Sequence, residues 1–248
     1  MFFGICDSYR DMENELTIVI PAKNEEERIR ILMESILRQD YENLSGTKVI
    51  LADAQSTDRT REIFAEFGKG INTETVEGGP VATGRNNGAM RAKSEFILFL
   101  DADVALGKDD TLRKAVSLAK RKNLDCVGAY VRCENGNFLD RLLYATNNLF
   151  QFLSRFVSPF ATGMFMLFRK NAFDALGGFD EKTLFGEDYL LSSRIPKKKF
   201  GMASFVYTTN RRFKKTGYLK MIRMMAKNII HFKNSDYIQS RDYREYWD

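Results

Sequence analysis

The sequence predicts an α/β fold, a doubly wound and mostly parallel sheet with helices on both faces. Three observations carry that expectation. Apolar runs such as Leu16–Ile20 (LTIVI) and Phe96–Leu100 (FILFL) are nearly continuous, as in strands buried on both sides. Segments of helical periodicity lie between such runs. The strand–helix–strand connections have the length that parallel crossovers need.

The elements follow in order. Strands are expected at Leu16–Ile20, Thr47–Ala52, Asn72–Val76, Phe96–Leu100 and Cys126–Val131. A first helix follows from Ile29, Leu32, Met33 and Ile36, with Asn24 and Glu27 spaced as a capping box. A second runs from Arg59 to Phe67, a third from a Thr83 cap through Lys93, a fourth from Asp110 through Arg121. Past residue 132 the alternation weakens. An aromatic-rich helix, Phe138–Phe156, is expected to pack its apolar side on the sheet, the alternative being a groove for a lipid-linked acceptor. Then come a strand at Met164–Phe168, short helices at Lys170–Leu176 and Asp188–Arg194, and a strand at Gly201–Tyr207. A basic helix, Lys215–Phe232, closes the pattern. The simplest division is a nucleotide-binding half over 1–132, a mixed half over 133–214 and a basic amphipathic extension over 215–248.

The 248 residues are enough for a sizeable core, and 44% hydrophobic with 29% charged is ordinary for a globular protein. One histidine, His231, and three cysteines, Cys6, Cys126 and Cys133, restrict the chemistry. A multi-histidine metal site is excluded, and the cysteines form no disulfide framework or zinc signature. A metal would sit on oxygen, which favours Mg²⁺, Mn²⁺ or Ca²⁺. The net charge of +5 conceals a net of +10 from Leu190 onward, which suits phosphate, diphosphate or an anionic membrane surface. The longest apolar stretch, Phe156–Phe168, is too short to span a bilayer, and the N-terminus has no signal-peptide core. The expectation is a cytoplasmic protein, peripheral on the cytoplasmic membrane face if the basic C-terminal helix binds lipid. No zinc-finger or RNA-binding signature is present, so no nucleic-acid partner is expected.

Ligands of open parallel sheets bind beyond the carboxyl ends of the strands. Polar residues gather there: Lys23-Asn24-Glu25 after the first strand, Asp53 through Asp58 after the second, and Asp101-Ala102-Asp103 after the fourth. Two carboxylates two residues apart point to one side of an extended segment and make a hard-cation site with positions left for phosphate oxygens. Asn24, Ser56 and Asp58 also suit helix starts. A second acidic pair, Glu187-Asp188, opens a helix, where it serves either the helix dipole or as a general base.

Together these stretches resemble glycosyltransferases of family 2, which have the GT-A fold. The matching segments are TIVIPAKNEEERI (Thr17–Ile29), ADAQSTDRT (Ala52–Thr60), GRNNGAMRAKSEFILFLDADV (Gly84–Val104) and TGMFMLFRKNAFDALGGFDEKTLFGEDYLLSSRI (Thr162–Ile195). The resemblance implies that Pro21, Asn24 and Glu25 wrap the base and ribose of a nucleotide-sugar, and that Asp53 hydrogen-bonds the base. It places Arg85 beside the donor, and Asp101 and Asp103 in a DxD motif holding Mn²⁺ or Mg²⁺ on the diphosphate. Gly163 falls in the region facing sugar and acceptor, Glu187 is a further substrate-binding candidate, and Asp188 is the general base of an inverting displacement. Arg211 and Arg212 resemble a basic motif near the diphosphate. Ala54 and Gln55 stand where relatives usually carry Asp and Gly, and Lys23 where many carry an aromatic residue. UDP is favoured over GDP as the donor nucleotide, and the acceptor is a glycan or a lipid-linked group in cell-envelope or glycan biosynthesis. Two rival readings are a nucleotidyltransferase, disfavoured because PAKNEEERI lacks a glycine-rich phosphate loop, and a non-catalytic nucleotide-sugar or membrane-surface binding module.

Overall fold

The computed structural model describes residues 14–183 and 186–223. The front half runs β1 (Asn14–Ala22), α1 (Glu26–Leu37), β2 (Lys48–Asp53), α2 (Thr60–Glu66), β3 (Asn72–Glu77), α3 (Val81–Met90) and β4 (Ser94–Leu100). A two-residue strand that the sequence did not signal follows, β5 (Ala105–Leu106), then α4 (Thr111–Arg121) and β6 (Cys126–Cys133). The remainder is α5 (Phe138–Val157), β7 (Phe165–Arg169), α6 (Lys170–Ala175), α7 (Glu187–Ser192), β8 (Phe200–Thr208) and α8 (Arg211–Thr216).

The strands form one sheet in the order β3-β2-β1-β4-β7-β6-β8-β5. It is parallel from β3 through β4 and mixed beyond, because β7 runs antiparallel to both β4 and β6 while β8 runs parallel to β6. Strand alternation explains why the apolar runs are continuous. Leu16, Ile18 and Ile20 of β1 pack on one face with α1, and Val19 packs on the other. In β4, Phe96, Leu98 and Leu100 take the first face while Ile97 and Phe99 take the second. The chain builds outward from β1 to β3, then returns to lay β4 on the other side of β1. That reversal opens a crevice at the carboxyl ends of β1 and β4, where the polar loops begin.

Several expected helix starts differ. Asn24 does not cap α1. It takes a left-handed conformation (φ 54°), which asparagine tolerates, and its Oδ1 accepts from Thr57 N instead. Thr83 lies inside α3 rather than capping it, and its hydroxyl bonds Glu181. Asp110 occupies the N-cap position of α4 without a capping bond and pairs with Lys114. The basic helix does not run unbroken from Lys215: α8 ends at Gly217 (φ 84°), and helical residues resume at Tyr218. Its expected continuation through Phe232 lies outside the described residues.

The largest correction concerns α5. An Asn137/Asp140 capping box starts it, with each residue's side chain bonded to the other's backbone N–H. Its buried residues are Asp140 and Gln151, and its aromatic and aliphatic side faces outward. Unpaired backbone explains the reversal. β7 pairs with β6 only at Cys126–Gly128, and farther along β6 the Asn148 amide accepts from Val131 N and donates to Val131 O, both at 2.7 Å. Gln151 accepts from Thr162 N, and Tyr144 donates to Thr209 O. The inner side of α5 is polar because it satisfies a strand edge and a loop that would otherwise bury unbonded groups.

Candidate active site

The loops after β1 and β2 are stitched together at the crevice. Ser56 Oγ accepts from Asn24 N, Thr60 Oγ1 from Glu25 N, and Asp58 Oδ2 from Glu26 N. Glu26 returns a bond by accepting from Arg59 N. Each helix start is thus capped by the other loop: Ser56 serves its neighbour's first turn, while Asp58 serves both, its Oδ2 on Glu26 N and its Oδ1 accepting from Thr60 N at the start of α2. Pro21 lies within β1, paired in register with Ala52. Asp53 ends β2, buried, with Oδ2 accepting from Ser56 N and 3.3 Å from Arg61 Nε. Its Oδ1 is buried without a hydrogen-bond partner. Gln55 has φ 58°, a left-handed backbone where the resembling family carries glycine.

Deeper in the crevice a buried arginine joins two acids from distant segments. Arg85, on α3 and 1% exposed, donates through Nη2 to Asp101 Oδ1 and through Nη1 to Glu187 Oε1, both at 2.7 Å. Gly163 makes room for it: a Cβ there would lie 2.1 Å from Arg85 Nη2. Gly163 also donates its N–H to Asp188 Oδ2 at 2.8 Å, while Asp188 Oδ1 accepts from Tyr189 N. Burial, reinforced by the neighbouring Glu187 charge, pushes the Asp188 carboxyl up to about 7, against the opposing pull of Arg85. The upward direction is the one that brings a carboxyl towards neutral pH.

Asp101-Ala102-Asp103 is not extended, contrary to expectation. It turns, with Asp101 O accepting from Val104 N, and its carboxylates reach different partners. Asp101 meets Arg85, whereas buried Asp103 has Oδ2 3.9 Å from Arg211 Nη2. Arg211 also pairs with Glu25, which ties α8 to the loop after β1. Arg212 belongs to α8, and its side chain lies outside the described atoms. Sequence reasoning missed Arg28, whose Nη2 reaches Asp103 O and Glu134, and Arg61 on Asp53. Both occur among many charged helix residues, and nothing in their spacing marked them.

Among the described residues no three metal-type side chains converge. A cation here would have two carboxylates from protein, Asp103 and Asp101, and would need phosphate oxygens and water for the rest. Such a donor set, all oxygen and short of a full shell, fits a hard cation carried with a diphosphate.

The model of glycosyl transferase family 2 matches residues 17–177. The chain belongs to this family. Poly(ribitol-phosphate) beta-N-acetylglucosaminyltransferase TarS of Staphylococcus aureus is 27% identical over 135 residues, covering 52% of this chain and 23% of TarS. The beta-monoglucosyldiacylglycerol synthase of a Nostoc species is 28% identical over 207 residues, covering 77% of this chain and 43% of the synthase. The chain thus spans less than half the length of each of these two relatives. Mannosyltransferase PcManGT of Pyrobaculum calidifontis, solved with GDP-Man and Mn²⁺, superposes with a TM-score of 0.65 at 20% identity, over 87% of this chain and 64% of that one. The family 2 chain therefore has the GT-A architecture expected from its sequence, a mixed sheet flanked by helices.

Proposed function

We propose that this family 2 chain transfers a sugar from a nucleotide-diphosphate sugar, UDP-linked in preference to GDP-linked, to a hydroxyl or lipid-phosphate acceptor with inversion at the anomeric carbon. The observation that carries the reading is the chain of contacts Asp101–Arg85–Glu187 beside Asp188, which joins a donor-side acid to a carboxyl poised near neutral pH. Residues 1–132 form the donor half, residues 133–214 the acceptor half, and 215–248 a basic extension.

Asp53 Oδ1, buried and unbonded, accepts a base N–H, while Pro21, Asn24 and Glu25 flank base and ribose. Asp103 and Asp101 would hold Mn²⁺ or Mg²⁺, and a bound cation stabilises the negative charge of the departing diphosphate. Arg211, 3.9 Å from Asp103, adds positive charge there, and Arg212, next to it in sequence, is the second basic residue of the motif. Arg85 neutralises Asp101 and holds Glu187 in place. Asp188, oriented by the N–H groups of Gly163 and Tyr189, accepts the acceptor's hydroxyl proton as that oxygen attacks. With a phosphate acceptor, already ionised, Asp188 orients rather than deprotonates. TarS has been solved with UDP-GlcNAc and PcManGT with GDP-Man, which supports a nucleotide-sugar as the donor class.

The test is a calorimetric panel of UDP- and GDP-sugars with Mn²⁺ or Mg²⁺, with release of nucleoside diphosphate measured in parallel. Metal-dependent binding that Asp103→Ala abolishes is expected, together with Asp188→Asn binding donor but not turning it over. Metal-independent binding that survives Asp103→Ala would remove the DxD assignment. Undiminished turnover by Asp188→Asn would remove the base.

A further inference from the structure

The outer face of α5 has no counterpart in the crevice chemistry. Twelve large hydrophobic side chains are exposed among the described residues, and eight of them belong to this one helix. Phe138, Leu142, Leu149, Leu153 and Phe156 recur at i, i+4, i+11, i+15 and i+18, a single stripe, with Phe138 81% and Phe156 58% exposed. Two more of the twelve, Leu219 and Ile222, lie just after Gly217, and that segment is joined to the start of α5 by the Asn137–Tyr218 and Asp140–Tyr218 hydrogen bonds. A contiguous apolar surface of this kind marks a binding face.

We propose that α5 lies flat on a bilayer of anionic phospholipid, its outer stripe in the headgroup–acyl boundary. Three features select lipid over another occupant. At 20 residues the helix is about 30 Å long. Its polar inner side is fastened to Val131 and Thr162 backbone, so it is fixed parallel to the protein surface and has no means of crossing a membrane. The charges are of one sign. The charged residues of α5 that are exposed, Arg141 and Arg155, are both basic, since its acid, Asp140, is buried. The adjoining stretch from Lys214 to Arg223 carries four Lys and Arg and no acid. Arg155 sits over the Phe152 and Phe156 rings at 4.7 Å, a cation held at the edge of the apolar stripe where a headgroup phosphate would lie. A twofold pairing of two such faces would set one positively charged surface against another, which disfavours a second copy.

The consequence for the acceptor rests on the proposed function. The Gln151–Thr162 bond links α5 to the loop that presents Gly163 to Asp188, so docking places the acceptor side of the crevice beside the bilayer and favours a lipid-borne acceptor.

The experiment is sedimentation of the full chain with vesicles of phosphatidylcholine alone and of phosphatidylcholine and phosphatidylglycerol in equal parts. Binding to the anionic vesicles that weakens with salt is expected. The quadruple variant Leu149→Gln, Phe150→Gln, Leu153→Gln, Phe156→Gln removes exposed apolar groups from a helix that glutamine supports, and should lower the partition coefficient about a hundredfold or more with unchanged circular dichroism. The readout is binding rather than turnover, so it stands or falls apart from the donor chemistry. A full chain that stays in the supernatant overturns the proposal. If deleting residues 224–248 then restored sedimentation, the face would belong to that segment. A concentration-dependent dimer that the quadruple variant dissolves, without vesicle binding, would assign the face to a second copy. Equal binding to both vesicle types would overturn the selection of anionic lipid.

Discussion

Replacing Glu187 by glutamine is the sharpest test of how the crevice sets Asp188, the proposed base. Asp188 stands near 7 instead of 3.8 first because it is desolvated and second because Glu187 places a like charge beside it. A carboxyl of that pKa is about one-tenth ionised at pH 6 and nine-tenths at pH 8. Turnover that needs ionised Asp188 therefore rises about tenfold across that interval. At an effective dielectric of about 20, a like charge on the adjacent residue contributes on the order of 2 kcal/mol, or some 1.5 pKa units. Glutamine removes this charge yet keeps an oxygen to accept from Arg85 Nη1, so the geometry persists. The acid limb should move down by about one to two units, and the pH 8 to pH 6 ratio should fall below about two.

The assay is the pH–rate profile of nucleoside diphosphate release from a donor sugar hydrolysed by water. Carbon-13 NMR of the Asp188 carboxyl gives the same titration without turnover. Stability supplies a check of opposite sense. A folded pKa above the unfolded one means that the native state binds the extra proton, so this group's contribution is full below about pH 4 and is lost as pH rises towards 7. Glu187→Gln should flatten that loss. An acid limb that stays in place, or moves up, would refute the claim that Glu187 tunes Asp188.

Gly163→Ala places a methyl where Arg85 Nη2 now lies, forcing the guanidinium off Asp101 and Glu187. A loss of about 3–5 kcal/mol is expected, read as a melting temperature lower by roughly 10 °C. Gln55→Gly relieves a left-handed backbone at φ 58°, and after the added entropy of the unfolded chain should stabilise by about 0.5 kcal/mol in urea titration. Asn148→Leu leaves Val131 N–H and C=O without their side-chain partner, costing about 2–4 kcal/mol and accelerating hydrogen exchange at Val131.

What could be read from the sequence divides along a physical line. β1, β2 and β4 were legible because burial on both faces demands apolar residues at every position, and few other structures do. The places of Asp53 at the end of β2 and Asp188 in the first turn of α7 were legible because strand ends and helix starts fix where a side chain emerges. The turn at Asp101–Asp103 was not, since nothing in three residues says whether a strand continues past its last apolar position. The reason for Gly163 was equally hidden. It lies in the packing of Arg85, 78 residues earlier, and only the folded chain brings the two together.

α5 shows why periodicity alone misleads. Its stripe of Phe and Leu has the spacing of any core helix, and burying it on the sheet was the natural expectation. Periodicity establishes that two faces differ and leaves open which one turns inward. The deciding quantity was the unmet hydrogen bonding of the partner surface. Past Gly128, β6 loses β7, and Val131 requires a donor and an acceptor that Leu or Phe cannot supply. Asn148 supplies both, Gln151 meets Thr162, and Asp140 holds the Asn137 N–H, Asn210 and Tyr218. A buried polar group without a partner costs about as much as a buried aliphatic side chain contributes, so several such groups on one surface are enough to reverse a helix. The apolar stripe is then left at the surface, where water is a poor neighbour for it and an acyl boundary a good one.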